Sequence, residues 1–541
     1  MNVPDSRRFP FVAIAAALAA LLFADYIYTA WTWLAWNRHP GLAQDPWLLY
    51  ALDVREGVSV PMGNDHPLYP FILSLWAGRT PAAFTISKLF SLALGAATLI
   101  AAYRVGGVLF GRPAGLLAAA CLSVNWIFLS LSMSLRAEVL LPLLFLLNWY
   151  CVWRGFSESG AWWLAAGAFA GLAYLAKGTG TLLVLSWAGA AAVVWLRDKS
   201  VWRKAPWYLA GFLPLAAILW WGNHQLFGDM TYNFSVRHAM WLDVWQGYSD
   251  RPLETLSPWG YVASHGLSGV VRRVVTGVWR FAPVSAACLS PASSFPLPYM
   301  LRWPLFLAAV AAVWTTRRRI LAAFAGLEGG AWFTGILWAL FFVLFSWYHQ
   351  VSPSERFVGP LNPVIFILIA AAAAGAWEVV ESRLAAYPSW RRRVVWLLGG
   401  VALLTAAALS LKVRDWGWRN PFAEDRPAAC YRHVYEWVSG REEPVLYGPS
   451  GDLPFWLLRA RPPTVGLPEG PPPEDLARWL AERKVRGAVV DWDMADSPFL
   501  GGYFETAGGQ GVRMKRPLPG WRTVYADPHH RPPHVLLLER D

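Results

Sequence analysis

Arg136, Lys177 and Arg356 are basic side chains placed at the ends of long apolar runs, where charge is expensive. A guanidinium offers a planar fork of donors and an ammonium a compact charge, so three such groups together could hold an anion such as a phosphate. Each also has a plainer role: it could snorkel to lipid headgroups, or pair with a nearby acid such as Glu138 or Glu355. A second group of polar residues lies near the N-terminus. It runs Gln44-Asp45-Pro46-Trp47-Leu48-Leu49-Tyr50, then Gly63-Asn64-Asp65-His66-Pro67-Leu68-Tyr69-Pro70. Asp45 precedes an amphipathic helix pattern, so its plain role is a cap, where free amides and the helix dipole favour a carboxylate. The alternative for Asp45 is catalysis. Asp25 is a weaker candidate base, more simply read as a hydrogen-bonding group between helices. Asp65 and His66 could ligate a divalent metal together with His224, His238 or His349, but no H-x-x-x-H or H-E-x-x-H spacing supports that set. The chain has no P-loop, no G-x-G-x-x-G after a strand and no G-x-S-x-G, which argues against nucleotide-driven chemistry.

The elements that must position these residues are membrane spans. Of 541 residues, 56% are hydrophobic and only 15% charged, which excludes a disordered or ordinary soluble chain. Eleven apolar runs are each long enough to cross a bilayer as a helix, at approximately 11–36, 82–103, 113–132, 137–153, 161–176, 178–196, 207–226, 299–316, 331–348, 357–377 and 394–411. The first has a basic start and no small-residue cleavage site, so it reads as a retained span. With a cytoplasmic N-terminus, sixteen basic residues fall on the inner side, including the Arg317–Arg319 and Arg391–Arg393 clusters. The positive-inside rule then puts the C-terminus outside the plasma membrane. It also puts Arg136, Lys177 and Arg356 on the outer side, against the trend. The 35 Trp residues cluster near span ends, as an aromatic belt does.

Three outer segments exceed simple connectors, at about 37–81, 228–298 and 413–541. In the last, short apolar runs bounded by Pro and Gly alternate with a helix pattern over Glu474–Lys484, which predicts a small α/β domain. The expected architecture is therefore a polytopic α-helical membrane domain over 1–412 and an extracytoplasmic α/β domain over 413–541. Four cysteines make no disulfide framework, although a Cys288–Cys430 bridge is conceivable. The formal net charge of +12 lies mostly in the inner loops, while 413–541 carries 17 basic and 18 acidic residues. That distribution is topology, and it removes a nucleic-acid partner.

Four patches, in order, resemble the lipid-dependent glycosyltransferases of the GT-C fold, the group of protein O-mannosyltransferases and the aminoarabinose transferase of lipid A. They are Asp45 to Tyr50 with His66-Pro67-Leu68-Tyr69-Pro70, Arg136-Ala137-Glu138, Gly171-Leu172-Ala173-Tyr174-Leu175-Ala176-Lys177-Gly178, and Arg356-Phe357 followed by Pro360 and Pro363. One departure matters: many members carry Asp-Glu where this chain has Asp45-Pro46, which leaves one acid. The resemblance implies a donor sugar on a polyprenyl phosphate or diphosphate and a lipid, glycan or protein acceptor at the outer face. It also implies inverting transfer with Asp45 as general base. Arg136, Lys177 and Arg356 would hold the phosphate, and Glu138, Asp65, His66 and Tyr69 would complete the substrate site. Two other classes remain open, a transporter or flippase of a lipid-linked saccharide and a non-catalytic scaffold. Transporters commonly show internal repeats, and none is visible here.

Overall fold

The computed structural model describes residues 9–36, 45–78, 80–243, 256–289, 328–351, 355–384, 429–447, 464–466, 476–495, 499–507, 511–528 and 530–541, with isolated residues 393, 397 and 400. Its contacts divide the chain into two compact units. One comprises Met1–Ala30, Val60–Tyr69 and Phe90–Gly417; the other comprises Trp31–Ser59, Pro70–Leu89 and Trp418–Asp541.

The helices follow the apolar runs. In chain order they are α1 (Phe9–Trp36), α2 (Asp45–Glu56), α3 (Leu68–Ser74), α4 (Pro81–Phe110), α5 (Arg112–Ser123), α6 (Trp126–Ser132), α7 (Leu140–Ser157), α8 (Gly160–Ala176), α9 (Thr181–Trp195), α10 (Val201–Phe227), α11 (Phe234–Arg237), α12 (Pro258–Ala287), α13 (Glu328–Tyr348) and α14 (Asn362–Leu384). Among the described residues, five stretches are long and apolar enough to cross a membrane by length and composition, and Gly160–Ala176 and Gly359–Gly375 are shorter apolar helices. The expected span at 299–316 lies outside the described residues, as does that at 394–411 apart from residues 397 and 400.

One expected span is broken. The run 113–132 folds as two helices, α5 and α6, because Asn125 turns its side chain back to accept the Phe128 backbone N–H at 3.1 Å and starts a new helix. The cap satisfies an orphan donor that a continuous helix would have paired internally.

Helices α8 and α10 approach closely because glycine lines both. A Cβ on Gly167 would meet Tyr208 O at 2.0 Å, and one on Gly211 would meet Leu164 O at 2.2 Å. Small residues at such a seam let backbones pack without a hydrophobic driving force, as bilayer interiors require. Around the seam, Trp187 stacks on Tyr208 at 4.0 Å and the buried Asn148 donates to Ala166 O at 2.7 Å, tying α7 to α8. This rigid trio of helices carries Glu138 at one end of α7 and Lys177 at the end of α8.

The C-terminal region contains the expected α/β fold. A five-stranded sheet has the order β2-β1-β3-β7-β6, where β1 is Val445–Tyr447, β2 Thr464–Gly466, β3 Gly487–Asp491, β6 Trp521–Ala526 and β7 Val535–Arg540. Strand β1 runs parallel to both neighbours, whereas β7 is antiparallel to β3 and β6. A separate hairpin pairs β4 (Phe504–Ala507) with β5 (Gly511–Met514). All five residues of β3 are buried, as its uninterrupted apolar run requires of a central strand. Cys288 and Cys430 are both buried.

Candidate functional site

Arg136, Lys177 and Arg356 all sit on short irregular turns between helices. Arg136 is extended (φ −148°, ψ 135°) just before a 3-10 turn, Ala137–Val139, that places Glu138. Lys177 ends α8 in an extended conformation, its N–H bonded to Ala173 O. The chain then doubles back through a second 3-10 turn, Gly178–Gly180, so tightly that a Cβ on Gly180 would lie 2.3 Å from Tyr174 N. Arg356 belongs to a third such turn, Glu355–Phe357, anchored where the Phe357 ring stacks on Phe345 at 4.9 Å.

Folding brings these turns together around Glu138. Lys177 Nζ donates to Glu138 Oε1 at 2.5 Å, with side-chain exposures of 29% and 8%. Arg356 also acts electrostatically on Glu138, and Arg136 is within reach of both Glu138 and Arg356. Three positive charges therefore face one buried negative charge, a local balance of about +2. Arg136 is part-buried and Arg356 exposed, so the excess charge opens toward whatever lies outside.

A floor of buried amides holds the two arginine-bearing turns together. Asn125, at the start of α6, donates to Cys288 O at 2.6 Å and accepts from Asn362 Nδ2 at 2.9 Å; Asn362 begins α14 directly after the Arg356 turns. Sequence reasoning missed this junction, and the available signal was an Asn directly before each of two apolar helices.

One wall comes from the two outer segments. Gly63 N donates to Asn223 Oδ1 at 2.9 Å, Asn233 Nδ2 donates to Gly63 O at 3.3 Å and approaches His66 Nε2 at 3.5 Å, and Ser235 Oγ donates to Asn64 Oδ1 at 2.5 Å. His66 is buried against Gly178 and edge-on to Tyr174. Burial pushes the His66 imidazole down to about 4, and the neighbouring Lys177 charge pushes the same way. Tyr69 is fully buried, its hydroxyl in contact with Ser91 Oγ at 3.0 Å and with the Arg136 backbone; burial raises its phenol. It thus supports Arg136 from beneath. Arg273 is caged instead: it lies over Trp347 at 4.3 Å and donates to Met240 O at 3.0 Å.

Asp45 opens α2, as its sequence position predicts, with Leu48, Ala51 and Leu52 forming the buried face of that helix. Asp65 is half-buried in the loop before His66. No third metal-type ligand joins Asp65 and His66 among the described residues, and the His66 ring faces an ammonium and an amide. That environment does not fit a divalent ion.

Comparison with known proteins gives the arrangement its context. Residues 65–221 match the family described as dolichyl-phosphate-mannose-protein mannosyltransferase. The matched stretch contains His66, Tyr69, Arg136, Glu138 and Lys177, and stops short of both Asp45 and Arg356. The structure of ArnT from Cupriavidus metallidurans bound to undecaprenyl phosphate is similar over 97% of this chain and 97% of that one, at 14% identity and a TM-score of 0.53. An oligosaccharyltransferase from Archaeoglobus fulgidus, in complex with Zn and sulfate, is similar over 91% of this chain and 71% of its own, at 14% identity and a TM-score of 0.52. The fold is GT-C. No curated relative matches the chain. The chain therefore resembles that mannosyltransferase family over residues 65–221 and shares the GT-C fold along nearly its whole length.

Proposed function

We propose that this GT-C protein transfers a sugar from a polyprenyl-phosphate-linked donor to an acceptor at the outer face of the membrane. The observation that supports this reading most strongly is the balance of about +2 gathered around Glu138 by Arg136, Lys177 and Arg356. A sugar phosphodiester carries about one negative charge, and the phosphate left after transfer carries nearly two. A fixed positive excess therefore binds the leaving state better than the donor, which is the condition for lowering the barrier. Glu138 keeps Lys177 oriented, Tyr69 supports Arg136, and Asp65 and His66 border the donor head.

Asp45 serves as general base on the acceptor hydroxyl or amine, giving one in-line displacement with inversion at the sugar carbon. A donor already activated by its phosphate link needs no nucleotide, in keeping with the missing phosphate-binding loops. In this proposal residues 1–412 form the catalytic domain, the N-terminus is cytoplasmic and 413–541 lies outside. Asp45→Asn should reduce transfer from a radiolabelled polyprenyl-phosphate sugar by at least about a hundredfold while donor binding persists. Full transfer by that variant would overturn the base assignment. Movement of intact lipid-linked sugar across vesicles, with no transfer to any acceptor, would favour the flippase reading instead.

A further inference from the structure

A second cluster of ligand-type side chains lies far from this chemistry in sequence, in the loop that joins β6 to β7. Asp527 directly follows β6, and its carboxylate is fully buried, with 0% side-chain exposure. His530 Nδ1 contacts Asp527 Oδ2, and the backbone N–H of His534 points at the same oxygen from 3.4 Å. The His530 and His534 rings stack with centroids 3.4 Å apart and planes 11° from parallel. One ligand atom from each of the three residues lies within 4.8 Å of the others. His530-Arg531-Pro532-Pro533-His534 is an H-x-x-x-H spacing, carried here on a loop.

The loop is held in this shape from both ends. Asp527 N donates to Val535 O at 3.1 Å and Val512 N donates to Pro533 O at 2.7 Å, so the donors converge from a fixed backbone. A tetrahedral ion with bonds of about 2.0–2.1 Å needs donors roughly 3.4 Å apart, so binding would turn the two stacked rings out of register until one nitrogen of each converges with the Asp527 carboxylate. Two imidazoles and one carboxylate suit zinc and its transition-metal neighbours; calcium and magnesium prefer oxygen alone.

We propose that Asp527, His530 and His534 bind one divalent transition-metal ion of the zinc type, with water completing the coordination, and that the ion clasps the β6–β7 loop to the sheet. The site is independent of the membrane chemistry, so either reading can fail without the other.

The test uses the full-length protein in detergent, with any purification tag removed and resident metal stripped by chelator. Zinc chloride is titrated in by calorimetry, and bound metal is counted by mass spectrometry after dialysis. The wild type should take up an equivalent that His534→Gln and Asp527→Asn each lose or bind at least about tenfold more weakly. Cobalt should give visible absorbance bands in the wild type that both variants lack. Circular dichroism of the zinc-free proteins checks that the glutamine variant keeps the native fold. Equal zinc affinity and stoichiometry in the wild type and a folded His534→Gln protein would overturn the proposal, as would no uptake by the wild type.

Discussion

Replacing Lys177 by Met separates the observed contact of its ammonium with Glu138 from its proposed hold on a phosphate. Breaking a fully buried ion pair by removing one partner costs about 3–5 kcal/mol, because a charge is left without its counterpart. Here Lys177 is 29% exposed, and Arg356 and Arg136 still act on Glu138, so the expected loss is nearer 2 kcal/mol. It is read as a drop of about 2 °C in the thermal midpoint of the detergent-solubilised protein, followed by the fluorescence of its 35 tryptophans. A charge-assisted hydrogen bond to phosphate is worth about 2 kcal/mol, so binding of polyprenyl phosphate should weaken roughly thirtyfold. The double variant Lys177→Met/Glu138→Gln then decides between the roles. It removes the stranded carboxylate and returns the local balance to about +2, so the thermal midpoint should recover. The direct bond to phosphate is still missing, so most of the thirtyfold loss should persist. Wild-type affinity in the double variant would refute the argument and leave Lys177 as a counter-ion for Glu138 alone.

Two other perturbations probe the floor and the wall of the site. His66 is held near 4 in the folded protein against about 6.5 when unfolded, so the unfolded chain binds the extra proton between those values. Its contribution to stability is therefore complete above pH 6.5 and lost as pH falls toward 4. His66→Asn should flatten the acid dependence of the thermal midpoint across that window, and an unchanged slope would show that other groups set it. Asn125→Leu removes a helix cap and two further bonds, to Cys288 O and from Asn362, for an expected cost of about 3 kcal/mol. Polyprenyl phosphate binding should fall with it as the arginine turns lose their common anchor; chemical unfolding with native donor affinity would count against the junction's positional role.

Much of the membrane architecture could be read from residue type alone, because hydrocarbon leaves few alternatives to a helix of apolar residues. Runs such as 82–103 and 207–226 became α4 and α10 with ends shifted by a few residues. The break at Asn125 was not legible, since a cap competes with the helix through one local hydrogen bond that hydropathy does not register. The outer cations stood out because each is expensive where it lies, and Lys177 indeed meets Glu138. Their company was less visible. Asn223, Asn233 and Ser235 bind the first outer segment across more than 150 positions of sequence, a pairing that no spacing rule encodes. In the extramembrane region, β3 and β7 were apparent as apolar runs, whereas β6 is mostly exposed, with Arg522, Thr523 and Val524 in succession, and was overlooked.

The amide junction of Asn125, Asn362 and the Cys288 carbonyl has a consequence for selectivity. Because it joins the segments that lead to Arg136 and to Arg356, the two backbone turns share one buried anchor, and shifting one against the other breaks a buried contact. Under the proposed function, a carrier whose phosphate group matches the spacing of those turns would meet both arginines at least cost, and any other would need costly backbone movement or long side-chain reorientation. Discrimination among carrier headgroups would then be exercised by stiffness beneath the site, with no need for a residue that clashes with the wrong one.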